Sequence, residues 1–118
     1  MMPEEQTIFH KIITGDIPAQ IVYEDEEVVA FKDTNPQAPV HILLIPRNID
    51  PESLNDVSKS DEAILGHLLF AAAKVANKVG IAETGYRVVI NTGTGVGQSI
   101  DYLHLHLLGG REMAWPPG

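Results

Sequence analysis

The chain of 118 residues has no cysteine, few basic residues and no long apolar run. The lack of cysteine excludes disulfide bonds, thiolate catalysis and cysteine-ligated zinc or iron–sulfur centres, and it favours an intracellular location. No apolar stretch approaches the roughly 20 residues of a membrane span, and the first six residues are acidic rather than signal-like. We therefore expect a cytoplasmic protein with no membrane partner.

Basic side chains are scarce as well. Eight Lys and Arg residues stand against sixteen Asp and Glu residues, which gives a net charge of −8. Binding to nucleic acid depends on clustered Lys and Arg, so the composition argues against a DNA or RNA partner. A small anionic ligand is still compatible, because a pocket needs local donors rather than a basic surface.

The remaining composition, with 44% hydrophobic residues, is that of one globular domain with its own core. Thr7 and Gly15 are typical of the two ends of a short helix, and β-rich runs on either side of residues 24–27 predict a hairpin. The apolar run 40–46 predicts a central strand that is buried on both faces.

A long helix is predicted after Ser58, where the sequence resembles a capping box, and it should end near Gly80. Its apolar residues recur at helical spacing: Leu65, Leu68, Leu69, Ala72, Val75, Ala76 and Val79. With a strand at 86–91 and another at 100–110, the pattern indicates an α+β domain of about five mostly antiparallel strands.

The last strand follows a glycine-rich loop at 91–99 and carries a polar residue at every second position. Because side chains alternate along a strand, Tyr102, His104 and His106 should share one face, and the intervening leucines should share the other. The two imidazoles would then lie roughly 6–7 Å apart. This stretch is the best candidate for chemistry in the sequence.

Four interpretations of the stretch remain open on the residues alone. His104 and His106 could bind zinc with His41 as a third ligand, although Asp101 is out of phase with them. A neutral imidazole could instead attack phosphorus, while glycines bring backbone close to phosphate and Gln98 and Ser99 donate hydrogen bonds. The third interpretation is a binding pocket without turnover, and the fourth is ordinary polar alternation on a half-exposed strand. The loop lacks the Gly-Lys-Ser/Thr of a P-loop.

Residues 104–111, His-Leu-His-Leu-Leu-Gly-Gly-Arg, preceded by Gly97-Gln-Ser, resemble the signature of the histidine triad (HIT) superfamily. The resemblance extends over nearly the whole chain, through Pro36-Gln-Ala-Pro-Val-His41 to the closing Trp115-Pro-Pro-Gly118. This pattern is similar to that of the Hint branch, the purine nucleoside phosphoramidases. It implies a single HIT domain over residues 1–118, in which residues 1–6 are flexible and the tail 109–118 docks at the dimer and active site. It also implies a homodimer whose two five-stranded sheets join across the interface.

The resemblance implies hydrolysis of adenosine or guanosine 5′-phosphoramidates through a nucleotidyl-histidine intermediate, with no metal and no cofactor. His104 matches the nucleophile, His106 the last triad histidine, which contacts phosphate, and His41 an additional upstream histidine. Asp33 matches the carboxylate that binds the ribose hydroxyls. Other matching positions are the phosphate and leaving-group contacts Asn91, Gly97, Gln98 and Ser99, the base-binding slot of Phe9, Ile12, Ile17, Phe31 and Thr34, and the tail residue Trp115, which would reach the partner's site.

One position departs from the family pattern, since Tyr102 stands where the first histidine of His-x-His-x-His is expected. A phenol, with an ordinary pKa near 10, cannot relay protons at neutral pH as an imidazole does. If the first histidine acts through its backbone, tyrosine can replace it at modest cost. If it takes part in a relay with His41, turnover should fall and the chain would be a nucleotide-binding or protein-interaction module.

Overall fold

The computed structural model describes residues 6–118, which form a five-stranded sheet with two α-helices. The elements are α1 (Ile8–Thr14), β1 (Ile21–Glu24), β2 (Val28–Lys32), β3 (Val40–Pro46), α2 (Glu62–Lys78), β4 (Tyr86–Val89) and β5 (Leu105–Gly109). The strand order is β1-β2-β3-β5-β4, and each neighbouring pair is antiparallel. The predicted α+β fold is thus confirmed, whereas the predicted flexible segment 1–6 lies, except for Gln6, outside the described residues.

The first helix is fixed at both ends by the residues that the sequence indicates. The Thr7 side chain accepts hydrogen bonds from the backbone N–H groups of Phe9 and His10, and His10 Nδ1 accepts one from the Thr7 N–H. Gly15 ends the helix with φ of +84°, a left-handed conformation that favours glycine. These caps hold α1 in a defined position over one face of the sheet.

The sheet has a different partner on each face. On one face, α2 packs its buried side chains, among them Leu68, Ala72 and Val75, against the central strands. Leu69 fits the helical spacing but is 53% exposed, because it is one residue, or about 100° of helix rotation, beyond Leu68. On the other face, α1 covers a smaller cluster of Phe9, Ile12, Val29, Phe31, Leu43, Ile45 and Tyr102.

The last strand is shorter than the predicted 100–110, and β4 ends at Val89 rather than at residue 91. The N–H groups of Tyr102 and Leu103 bond to the loop carbonyls of Ile100 and Pro51 instead of a neighbouring strand. Side-chain alternation nevertheless continues through this segment, so Leu103, Leu105 and Leu107 lie with α2 while Tyr102 lies with α1. Neither helix within residues 6–118 has both the length and the hydropathy needed to cross a bilayer.

Candidate active site

A cleft of about 1080 Å³ opens between α1 and the sheet, on the face away from α2. Its lining combines apolar side chains with carboxylate, hydroxyl and imidazole groups. The predicted site residues that line it are Phe9, Ile12, Ile17, Phe31, Asp33, Thr34, His41, Gly97, Ser99 and His106. Such a combination of an apolar slot with a few convergent polar groups is typical of a small-molecule site.

A chain of hydrogen bonds assigns the proton positions on two of the imidazoles. The backbone N–H of Gln37 points at His41 Nδ1, at 3.0 Å, so this nitrogen is the acceptor. In the neutral ring the proton is therefore on His41 Nε2, which lies 2.9 Å from His106 Nδ1 and 3.5 Å from Asp33 Oδ2. His106 Nδ1 accepts that proton, which places the remaining N–H of His106 on Nε2.

The third imidazole is oriented by the backbone rather than by a carboxylate. His104 Nδ1 donates to the carbonyl oxygen of Tyr102 at 2.6 Å, so its Nε2 carries a free lone pair. The ring is held edge to face by Phe9, at 5.0 Å between centroids, and lies 4.9 Å from the His106 ring. The two ring centroids are therefore closer than the expected distance of roughly 6–7 Å.

Burial keeps all three rings neutral at physiological pH. It lowers the pKa of His41 and of His104, and in each case a smaller effect of the Asp33 carboxylate opposes the shift. For His106, burial together with the neighbouring His104 and His41 lowers the pKa to about 4. The site therefore presents one lone pair, on His104, next to one N–H donor, on His106.

Several predicted residues lie outside the cleft lining. His104 does not line the cleft itself, but its ring lies 4.9 Å from the ring of His106, which does. Gln98 is buried: its side-chain oxygen accepts from the Gly93 N–H, and its side-chain nitrogen donates to the Glu52 and Ile100 carbonyls. The Gln98 amide therefore links the glycine-rich loop to the segment that contains Glu52. Asn91 and Tyr102 also do not line the cleft, and Trp115 is 81% exposed near Arg87.

Sequence reasoning missed other residues that line the cleft: Ile8, Pro18, Ala19, Gln20, Lys32, Asn35, Gln37, Leu43 and Ile100. Gln37 is the most informative, because its backbone N–H sets the tautomer of His41. A backbone donor has no side-chain signature, although the prolines at 36 and 39 mark this loop as rigid.

The side chains of Asp33, His41 and His106 offer ligand atoms that all lie within 4.8 Å of one another, so a metal must be considered. A metal-ligating histidine normally donates its second ring N–H to an acceptor. Here the second nitrogen of His41 faces the N–H of Gln37, which can only donate. Binding a cation through His41 Nε2 would break this contact, so the donor set fits a metal poorly.

Comparisons with known proteins point to one family. The family model described as HIT domain matches residues 14–113. The chain is 51% identical to a purine nucleoside phosphoramidase from Escherichia coli K12 over 109 residues, covering 92% of this chain and 91% of that one. It is also 51% identical to an adenylylsulfatase from Arabidopsis thaliana, over 98% of this chain and 78% of the relative. A crystal structure of a HIT family hydrolase from Legionella pneumophila superposes with a TM-score of 0.92 at 47% identity, over 96% and 100% of the two chains.

Proposed function

Because the chain belongs to the HIT domain family, in its Hint branch, and resembles nucleotide hydrolases of that family, we propose that it hydrolyses purine nucleoside 5′-phosphoramidates. The observation that carries the proposal is the pairing of a free lone pair on His104 Nε2 with an N–H donor on His106 Nε2. Attack at phosphorus needs a nucleophile and a donor to a nonbridging oxygen, and these groups supply both.

In the first step, His104 Nε2 attacks the α-phosphorus. A nitrogen–phosphorus bond forms on the imidazole, and the bond from phosphorus to the leaving amine breaks. The departing amine takes a proton from solvent, which the Ser99 hydroxyl at the cleft lining can relay while it keeps a proton of its own. The positive charge left on the His104 ring is stabilised by the Tyr102 carbonyl, which already accepts its Nδ1–H.

In the second step, water attacks phosphorus and loses a proton to solvent. The nitrogen–phosphorus bond breaks, which releases AMP or GMP and returns His104 to its neutral form. Throughout, the His106 Nε2–H donates to a nonbridging oxygen, and His41 keeps that proton on Nε2 by donating to Nδ1. Two easier displacements thus replace one difficult step.

The nucleoside portion fits the remainder of the cleft. Phe9, Ile12 and Phe31 form an apolar slot suited to a purine ring. Asp33 Oδ1 accepts the N–H of Asn35, which fixes the carboxylate, and Asp33 lines the cleft, where ribose hydroxyls can donate to the carboxylate.

Release of AMP from adenosine 5′-phosphoramidate tests this function. The parent should turn over, whereas His104→Asn, which preserves a donor toward the Tyr102 carbonyl, should lose about 10⁴-fold in kcat. Equal rates for the two proteins would refute the assignment. Tight AMP binding with no product, followed by turnover in Tyr102→His, would instead identify a binding module.

We also propose that two copies form a homodimer through α2 and the open edge of β4. Leu69 and Phe70 on α2 are 53% and 60% exposed, Tyr86 on β4 is 40% exposed, and β4 is at the end of the sheet. An open edge strand beside exposed apolar side chains favours pairing with another chain. A second copy would also give Trp115 a surface to cover.

Light scattering measures this directly, and the expected mass is that of two chains. Phe70→Glu should yield a monomer because it places a charge in the apolar contact. Leu54→Glu, which changes an exposed leucine outside α2 and β4, is the matched control and should remain dimeric. A parental mass of one chain would refute the proposal.

A further inference from the structure

The tyrosine that interrupts the triad is buried between the sheet and α1. Tyr102 is 1% exposed, and its ring meets the rings of His10 and Phe9 edge to face, at 4.8 and 5.9 Å between centroids. It belongs to the core of the face that carries the cleft. Its position is therefore fixed by packing before any polar contact is considered.

The Tyr102 hydroxyl joins this residue to the chain that leaves β3. The oxygen lies 2.5 Å from the carbonyl oxygen of Pro46 and 3.2 Å from that of Ile49. A phenol has one proton, so the two carbonyls share a single donor. The adjacent Asp50 accepts from His10 Nε2 at 3.0 Å, and α1 thereby secures the same segment.

The backbone of Tyr102 holds the nucleophile at the same time. Its carbonyl accepts the His104 Nδ1–H at 2.6 Å, the contact that leaves the Nε2 lone pair free. A shift of this carbonyl would reorient the imidazole, and misplacement of a reacting group by about 1 Å can cost a factor of 100 in rate. Tyr102 is thus attached to the scaffold through its side chain and to His104 through its main chain.

The contacts of His41 separate it from the Tyr102 side chain. In the part of the chain that the structure describes, the ring nitrogens of His41 meet Gln37, His106 and Asp33, and the Tyr102 hydroxyl meets Pro46 and Ile49. Burial also raises the pKa of this hydroxyl, so it keeps its proton. A proton relay through position 102 has no physical basis here.

We propose that Tyr102 is a positioning residue, whose hydroxyl anchors the carbonyl that orients His104 and thereby replaces the first histidine of the triad. The proposal rests on the proposed function and extends it to this residue. The hydroxyl, rather than the aromatic ring alone, is the feature on which it depends.

The test compares Tyr102→Phe with Tyr23→Phe, a matched control. Tyr23 also donates its hydroxyl to a protein oxygen, that of Asp25 at 2.7 Å, but it lies outside the cleft. Both variants should lower the melting temperature. Only Tyr102→Phe should lower kcat, by about tenfold, with KM for the nucleotide unchanged, because one hydrogen bond is worth up to about a factor of ten.

Histidine ¹⁵N NMR supplies a readout that loss of stability alone does not move. The parent and Tyr23→Phe should show His104 as the Nδ1–H tautomer, and Tyr102→Phe should show a mixture of tautomers. Tyr102→His should keep turnover within about threefold of the parent, because an imidazole N–H, although shorter in reach than the hydroxyl, can donate to the Pro46 carbonyl through a bridging water.

Parental kcat and a parental His104 signal in Tyr102→Phe would overturn the proposal. A rise of about tenfold or more in Tyr102→His would also overturn it, because it would reveal a missing relay. If Tyr102→Phe does not fold, the turnover of Tyr102→His decides whether the proposal stands. If the parent has no turnover, the proposed function fails, while the tautomer comparison still tests the positioning of His104.

Discussion

The two faces of the last strand show how one short segment serves folding and chemistry separately. Leu103, Leu105 and Leu107 are almost completely buried against the α2 side of the sheet. The alternate residues His104 and His106 face α1 and the cleft, where each ring is held by hydrogen bonds at defined atoms. Apolar burial on one face therefore provides the rigidity that hydrogen bonding on the other requires.

The largest expected effect on folding comes from the apolar face. Leu105→Ala should lower the free energy of unfolding by about 2–5 kcal/mol, because it leaves a cavity at a side chain that is 1% exposed. Turnover per folded molecule should stay close to parental. Urea titration and active-site counting measure the two quantities, and an unchanged stability would contradict the assignment of this face.

The neighbouring His106 should show the opposite pattern, a large loss of turnover with a smaller loss of stability. His106→Ala should lower kcat by about 10²–10³-fold, or about 2.7–4 kcal/mol, because it removes the donor to the nonbridging oxygen. Its free energy of unfolding should change less than that of Leu105→Ala, since the His106 ring is only half-buried. Steady-state kinetics with urea titration test this; a stability loss as large as that of Leu105→Ala would remove the contrast.

A smaller effect is expected at the nucleoside end of the same face. Asp33→Asn should raise KM for the phosphoramidate about tenfold with a lesser change in kcat, because an amide accepts ribose hydroxyls less strongly than a carboxylate. Asp33→Glu is the control that retains the charge. A fall in kcat at constant KM would place Asp33 in the chemistry rather than in binding.

Another effect concerns pH and follows from the polar face alone. His106 has a pKa of about 4 when folded and an ordinary value near 6.5 when unfolded, so between these values the unfolded chain binds more protons. Stability should therefore be complete above about pH 6.5 and decline as the pH falls toward 4. His106→Ala should show a shallower decline by calorimetry, and an identical slope would contradict the assigned shift.

The sequence allowed most of the fold to be predicted, for reasons that particular elements make clear. Thr7 and Gly15 mark the two ends of α1, and the unbroken run of apolar residues in β3 indicates a strand covered on both faces. The start of β5 was predicted too early, because alternation of side chains continues beyond the point where ladder hydrogen bonding begins. Period-2 patterning reports which way side chains face, not which backbone groups pair.

The candidate site was only partly predictable. His41, His104 and His106 can be identified from their residue type, phase and family resemblance, and the fold brings their rings together at the cleft. Their protonation states depend on the Gln37 N–H and the Tyr102 carbonyl, backbone groups that every residue except proline possesses. The role of Tyr102 could not be decided from sequence because its hydroxyl partners lie more than 50 positions away.

The central claim is that His104 is the nucleophile, and trapping its covalent intermediate tests that claim most directly. In a rapidly quenched single turnover with adenosine 5′-phosphoramidate, mass spectrometry should find one adenylyl group on the peptide that contains His104. The adduct should form before AMP accumulates and should be absent in His104→Asn. Release of AMP at the parental rate with no adduct, or with the adduct on another residue, would contradict the account.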